Sequence, residues 1–166
     1  MTYFTDEQVA ARELRDAAHH EAGHKMLHEY FGGAGDAVLR KNESGNPDER
    51  AWLGDFRPRM CPEAKRKATL ANGIAVPELP GNWKILVGMA GLLAEEILNG
   101  ETDDVSAMAD NMFFRISFGE ASDSDLAQIG VTDIDNCELS YEVIEEAVQL
   151  LLPRVGARPG GGRVSN

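Results

Sequence analysis

The chain has 166 residues, enough for one domain with a real core and too few for two large ones. Its 28 acidic against 16 basic residues give a formal net charge of -12, which argues against nucleic acid or an anionic membrane as the main partner, since phosphate binding needs clustered Lys and Arg. Hydrophobic content of 43% and charged content of 27% are those of an ordinary globular chain. The longest apolar run, Ile85 to Leu93 broken by Gly88 and Gly91, falls far short of a bilayer span. Cys61 and Cys137 have no C-x-x-C spacing, so neither a disulfide framework nor a cysteine zinc site is expected, and a reducing cytoplasm fits. The residues after Met1 lack the basic and apolar regions of a signal peptide.

Thr5 followed by Gln8 has the capping-box pattern, and Val9, Ala10, Leu14, Ala17, Ala18, Leu27, Tyr30 and Phe31 recur at helical spacing. One helix from about Asp6 to Phe31 is expected, stopped at Gly32 and Gly33. Inside it His20, Glu21 and His24 spell H-E-x-x-H. Residues four apart share a helix face, so both imidazoles can close on one zinc ion while Glu21 points beside it toward a metal-bound water. Ala22 and Gly23 leave room there for a close approach by another backbone or a ligand. His28 lies on the same face, but about 12 Å along the axis from His20, too far for all three to share an ion. His19 points elsewhere, as a surface residue would.

Asp36 to Lys41 and Arg50 to Phe56, flanking an Asn, Gly and Pro cluster, read as a hairpin. In zinc peptidases such an edge strand often pairs with the substrate backbone; a purely structural hairpin is the other reading. Pro62 opens a short helix through Ala71, closed by Gly73, whose Lys65, Arg66 and Lys67 read as a solvated face. Val76 to Gly81 is a loop. Asn82 caps a strongly apolar helix, Trp83 to Asn99, that belongs in the core against the metal helix. Glu95 and Glu96 are its exceptions; either could orient a histidine or itself reach the zinc.

Val105, Met108, Ala109, Met112, Phe113 and Ile116 mark another helix ending near Gly119. The Ser and Asp cluster from Glu120 to Gln128 leads into a short helix, where a carboxylate could be aimed at a metal or serve as a cap. Ser140 starts a last helix, Tyr141 to about Leu152, stopped by Pro153. The expected fold is mainly α (α+β), one domain over residues 1–155 with a long metal helix and a small hairpin. Residues 156–166, rich in Gly and Arg, read as a flexible tail.

Four stretches, in order, resemble the zinc peptidase domain of the FtsH-type ATP-dependent proteases. They are His19-His20-Glu21-Ala22-Gly23-His24, the hairpin ending Trp52-Leu53-Gly54, Met89 to Gly100 with its Ala94-Glu95-Glu96 core, and Glu120 to Leu126. The resemblance spans the first helix to Leu152. It implies a zinc ion held by His20, His24 and an aspartate that precedes an aliphatic residue, here Asp125 before Leu126. That segment follows the Glu-Glu helix at a longer interval than in the family, which leaves Asp110 and Asp123 as alternatives. It also implies a peptide or unfolded-protein substrate. The chain carries neither the P-loop of the family's ATPase module nor a membrane segment, so an ATPase partner in trans and a homo-oligomer are the assemblies the resemblance suggests.

Two imidazoles and one carboxylate leave a zinc position for water, as catalytic sites do. Glu21 would then act as general base and pass its proton to the leaving amine. Two other readings remain at this level: a different zinc hydrolase taking Glu95 or Glu96 as third ligand, and a non-catalytic adaptor that keeps the fold to bind a partner.

Overall fold

The structure, a computed structural model, describes residues 3–100, 104–130 and 139–155. Its elements in chain order are α1 (Asp6–Tyr30), β1 (Ala34–Lys41), β2 (Trp52–Met60), α2 (Pro62–Ala71), α3 (Trp83–Asn99), α4 (Val105–Ser117), α5 (Asp123–Ile129) and α6 (Tyr141–Val155). The protein is thus mainly helical with one small antiparallel hairpin.

The capping box forms as its residues specify. Thr5 Oγ1 accepts from the Gln8 amide at 3.2 Å and Gln8 Oε1 accepts from the Thr5 amide at 2.9 Å, contributing about 1 kcal/mol to holding the start of α1. At the other end Gly32 takes φ +98°, which a side chain would resist, and turns the chain into β1.

β1 and β2 pair antiparallel from Lys41 opposite Trp52 to Gly35 opposite Pro58, with an irregularity at Ala34. β2 runs past the expected end at Phe56 to Met60 and takes in Pro58. Among the described residues β2 has one strand neighbour, and such an edge strand is where a proline is tolerated. In α2, Pro62 sits at the first turn and Cys61 Sγ accepts from the Ala64 amide at 3.4 Å. Lys65 and Lys67 are exposed, as a solvated face requires, while Arg66 folds back onto the Pro77 carbonyl.

α3 is the centre of the molecule. Leu86, Val87, Met89, Leu92 and Leu93 are buried, and the helix packs on α1, α4, α5 and α6. Truncating one of these leucines to alanine removes about 2–5 kcal/mol. Gly23 lets α1 ride close over α3: a Cβ there would meet the Ala90 carbonyl and lie 2.7 Å from Ala94 Cβ. Asn82 does not cap α3 with its side chain as expected; its amide donates instead to Glu146 Oε2 on α6 at 3.0 Å.

α6 does not stop at Pro153 but continues to Val155. There the ring removes one backbone bond and crowds the preceding turn, while the Arg154 guanidinium donates to the Leu150 carbonyl and lies 3.9 Å from the Tyr30 ring centroid. Among the described residues no helix is long and apolar enough to cross a membrane. Cys137 and the expected tail at 156–166 lie outside the described residues.

Candidate metal centre

Three side chains from two distant parts of the chain converge beneath a cleft of about 490 Å³. His20 and His24 come from one face of α1, and Asp125 from the first turn of α5, where Ser122 Oγ accepts from the Asp125 amide at 3.2 Å and fixes the turn. One potential ligand atom from each lies within 4.8 Å of the others. Asp125 Oδ2 is 3.1 Å from His20 Nε2, Asp125 Oδ1 is 3.1 Å from His24 Nε2, and the two Nε2 atoms are 3.1 Å apart.

The opposite nitrogen of each ring is already committed. His24 Nδ1 donates to the Val87 carbonyl of α3 at 2.7 Å. His20 Nδ1 faces Glu95 Oε1, also on α3, at 3.5 Å. With both Nδ1 atoms protonated, the two Nε2 lone pairs point at each other and at a carboxylate, an arrangement favourable only around a cation. The titration behaviour says the same. Burial alone would lower the His20 pKa, but hydrogen bonds and charge from Asp125 and Glu95 raise it to about 9. Burial likewise works against ionised Asp125, yet the two imidazoles hold it well below the usual carboxylate range. The site therefore draws a positive charge, and a proton on His20 plays that part when a metal does not.

Gly91 of α3 makes the space. A Cβ there would run into His24 Nε2 and sit 2.5 Å from His20 Nε2 and 2.7 Å from its Cε1, in the region the three ligands face. An open cradle with two imidazoles and one carboxylate is the donor set of a catalytic zinc site. The residues present thus fit the metal the motif calls for.

Glu21 is buried beside this cluster, pressed against β2 at Gly54, where a Cβ would fall 2.5 Å from Glu21 Cγ and 2.8 Å from its Cδ. Among the described residues its carboxylate has no hydrogen-bond partner. Burial pushes its pKa up; His20 and His24 pull it down, Asp125 and Asp55 push it up again, and the net result lies above the ordinary value of 4.5. The cleft above is walled by Trp52 to Phe56 of β2 on one side and by Ala121, Ser122 and Gln128 on the other. Among the described residues the β2 edge away from β1 has no strand partner.

The other candidates go elsewhere. Asp110 is exposed and accepts from the Tyr141 hydroxyl at 2.8 Å, and Asp123 is exposed on the outer side of α5. Glu95 meets the Nδ1 side of His20, not the Nε2 side, and Glu96 accepts from Asn111 at 2.8 Å. His19 Nδ1 bonds back to the Arg15 carbonyl at 2.9 Å. His28 is buried between the rings of Phe56 and Trp83, at centroid distances of 5.1 and 6.2 Å, and is no part of the cluster.

Gly91, Gly54 and the Val87 carbonyl are parts of this site that the motif and the family resemblance do not assign. The glycines did carry a signal: each costs an element interior about 1 kcal/mol, so a glycine inside a helix or strand asks for a close approach to explain it. In comparisons with protein families and with curated proteins, no family model and no curated protein matches this chain.

Proposed function

We propose that this protein is a zinc-dependent endopeptidase, similar in kind to the FtsH-type peptidase domains, acting on extended, accessible polypeptide. The observation that carries this reading is the convergence of His20 Nε2, His24 Nε2 and Asp125 with both Nδ1 atoms committed elsewhere, and Glu21 alongside. Zinc, when bound, supplies Lewis acidity that acidifies water and polarises an amide carbonyl.

The chain's own residues do the rest. Glu21, ionised and held above the usual carboxylate pKa by burial, accepts the proton released as water attacks and returns it to the departing amine. Gly54 lets the β2 backbone lie against that carboxylate. A substrate strand adds to the free edge of β2, so backbone hydrogen bonds hold it and few side chains select it. Such a mode accepts unfolded segments and refuses folded ones, which would need an unfolding partner, an ATPase in trans. A reducing cytoplasm is the setting that the free, exposed Cys61 thiol suits.

Glu95 on the Nδ1 side of His20 disfavours a zinc hydrolase with a glutamate third ligand. The test is hydrolysis of casein or of an unstructured fluorogenic peptide by zinc-loaded protein. Glu21→Gln is expected to lower kcat by about 10²–10⁴-fold while zinc stays bound. A zinc-loaded protein that leaves such substrates intact would sink the peptidase and favour an adaptor.

A further inference from the structure

Arg115, near the end of α4, is the hub of four polar contacts. Its Nη2 donates to Glu95 Oε2 at 2.8 Å, its Nη1 donates to the Leu92 carbonyl at 3.2 Å and lies 3.6 Å from Glu96 Oε2, and its Nε donates to Glu120 Oε2 at 2.5 Å. Glu95 is buried, with Oε2 on Arg115 and Oε1 toward His20 Nδ1. Glu120 belongs to the short connection between α4 and α5, just ahead of the turn that carries Asp125.

We infer that Arg115 is a positioning residue for the metal site: its planar fork locks the Glu95 carboxylate in the orientation that holds the His20 ring, and Glu120 and the Leu92 carbonyl in turn hold the fork. The inference rests on the zinc reading above. Its physical basis is that a buried carboxylate with one partner on each oxygen has a single orientation, whereas with one partner removed it can swing away. A guanidinium suits the task because its donors are rigid and in one plane, so one side chain can bind Glu95, a main-chain carbonyl and Glu120 at fixed angles. A lysine would supply charge without that geometry. α4, which otherwise contributes nothing to the centre, is thereby tied to a ligand that it never touches.

The test compares zinc affinity by chelator competition in the full chain for wild type, Arg115→Met, Arg115→Lys, Glu95→Gln and the Arg115→Met/Glu95→Gln double variant, with melting of each metal-free protein alongside. Arg115→Met is expected to weaken zinc about tenfold, the lower end of what partners of metal ligands cost. Arg115→Lys should show a smaller loss of the same sign, and carries the test if the methionine variant fails to fold. The double variant should bind no worse than Glu95→Gln alone, because both act through one carboxylate. A wild type that does not bind zinc would overturn the metal reading itself. Wild-type binding with an unchanged Arg115→Met affinity, or losses that add in the double variant, would overturn the positioning role and leave the metal reading standing; a merely structural arginine would lower the metal-free melting temperature and nothing more.

Discussion

At the scale of single residues, glycine does as much for the centre as the groups that would hold the ion. Gly91 keeps α3 from filling the space that His20 and His24 face, and Gly54 brings β2 against Glu21. Gly91→Ala should improve helix propensity and leave the fold in place, yet weaken zinc binding by about 100-fold, at the upper end for changes next to a ligand; unchanged affinity would show that the cradle lies elsewhere. The protons give a second expectation. Metal-free His20 holds a proton below about pH 9, so zinc must displace it. Zinc affinity should therefore rise about tenfold per pH unit up to about pH 9, with close to one proton released per ion at neutral pH, readable by calorimetry in buffers of different ionisation enthalpy. Glu21 adds a third: in the metal-free protein burial holds its carboxyl above the ordinary 4.5, readable in the carboxylate infrared band on acid titration, and bound zinc should draw that pKa down.

At the scale of elements, the junction of α1, β2 and α3 meets at His28. The ring is buried against Phe56, Trp83 and the backbone of Gly33, and its Nδ1 has no hydrogen-bond partner among the described residues. Burial holds its pKa below 6.5, with Glu29 pulling it up and Lys25 pushing it down. The unfolded chain thus binds this proton more readily than the folded one. Its contribution to stability is full above pH 6.5 and is lost as pH falls from 6.5 through the lowered folded pKa. Wild type compared with His28→Phe should show a constant stability difference above pH 6.5 and a wild-type deficit that grows in acid, measured by urea unfolding; a difference independent of pH would contradict the buried neutral imidazole. The same scale shows what local sequence signals convey. The capping box at Thr5 and Gln8, Pro62 at the start of α2 and the glycines at 32, 73 and 119 mark ends that lie where local chemistry puts them. Asn82 and Pro153 behave otherwise because tertiary partners decide: Glu146 takes the Asn82 amide, and Tyr30 receives Arg154 beyond the proline.

At the scale of the whole molecule, helical geometry made legible only the part of the site carried by α1, and Asp125 was pointed to by the family resemblance alone. H-E-x-x-H fixes His20, Glu21 and His24 on a face by geometry that any α-helix shares. Asp125 is separated from them by more than a hundred residues, and periodicity along the chain has nothing to say about which of several aspartates folds back. Only the packing of α5 on α3 brings it in. Glu95 was recognisable as an acid out of place in an apolar helix, but which nitrogen of His20 it meets depends on how α1 crosses α3, and that crossing is set by Gly23 against Ala90. The most direct measurement of the central claim is zinc titration of the metal-free protein beside Asp125→Ala. One ion per wild-type chain, with binding lost or weakened by orders of magnitude in the variant, is the expected result. Equal binding by both proteins, or no binding by either, would contradict it.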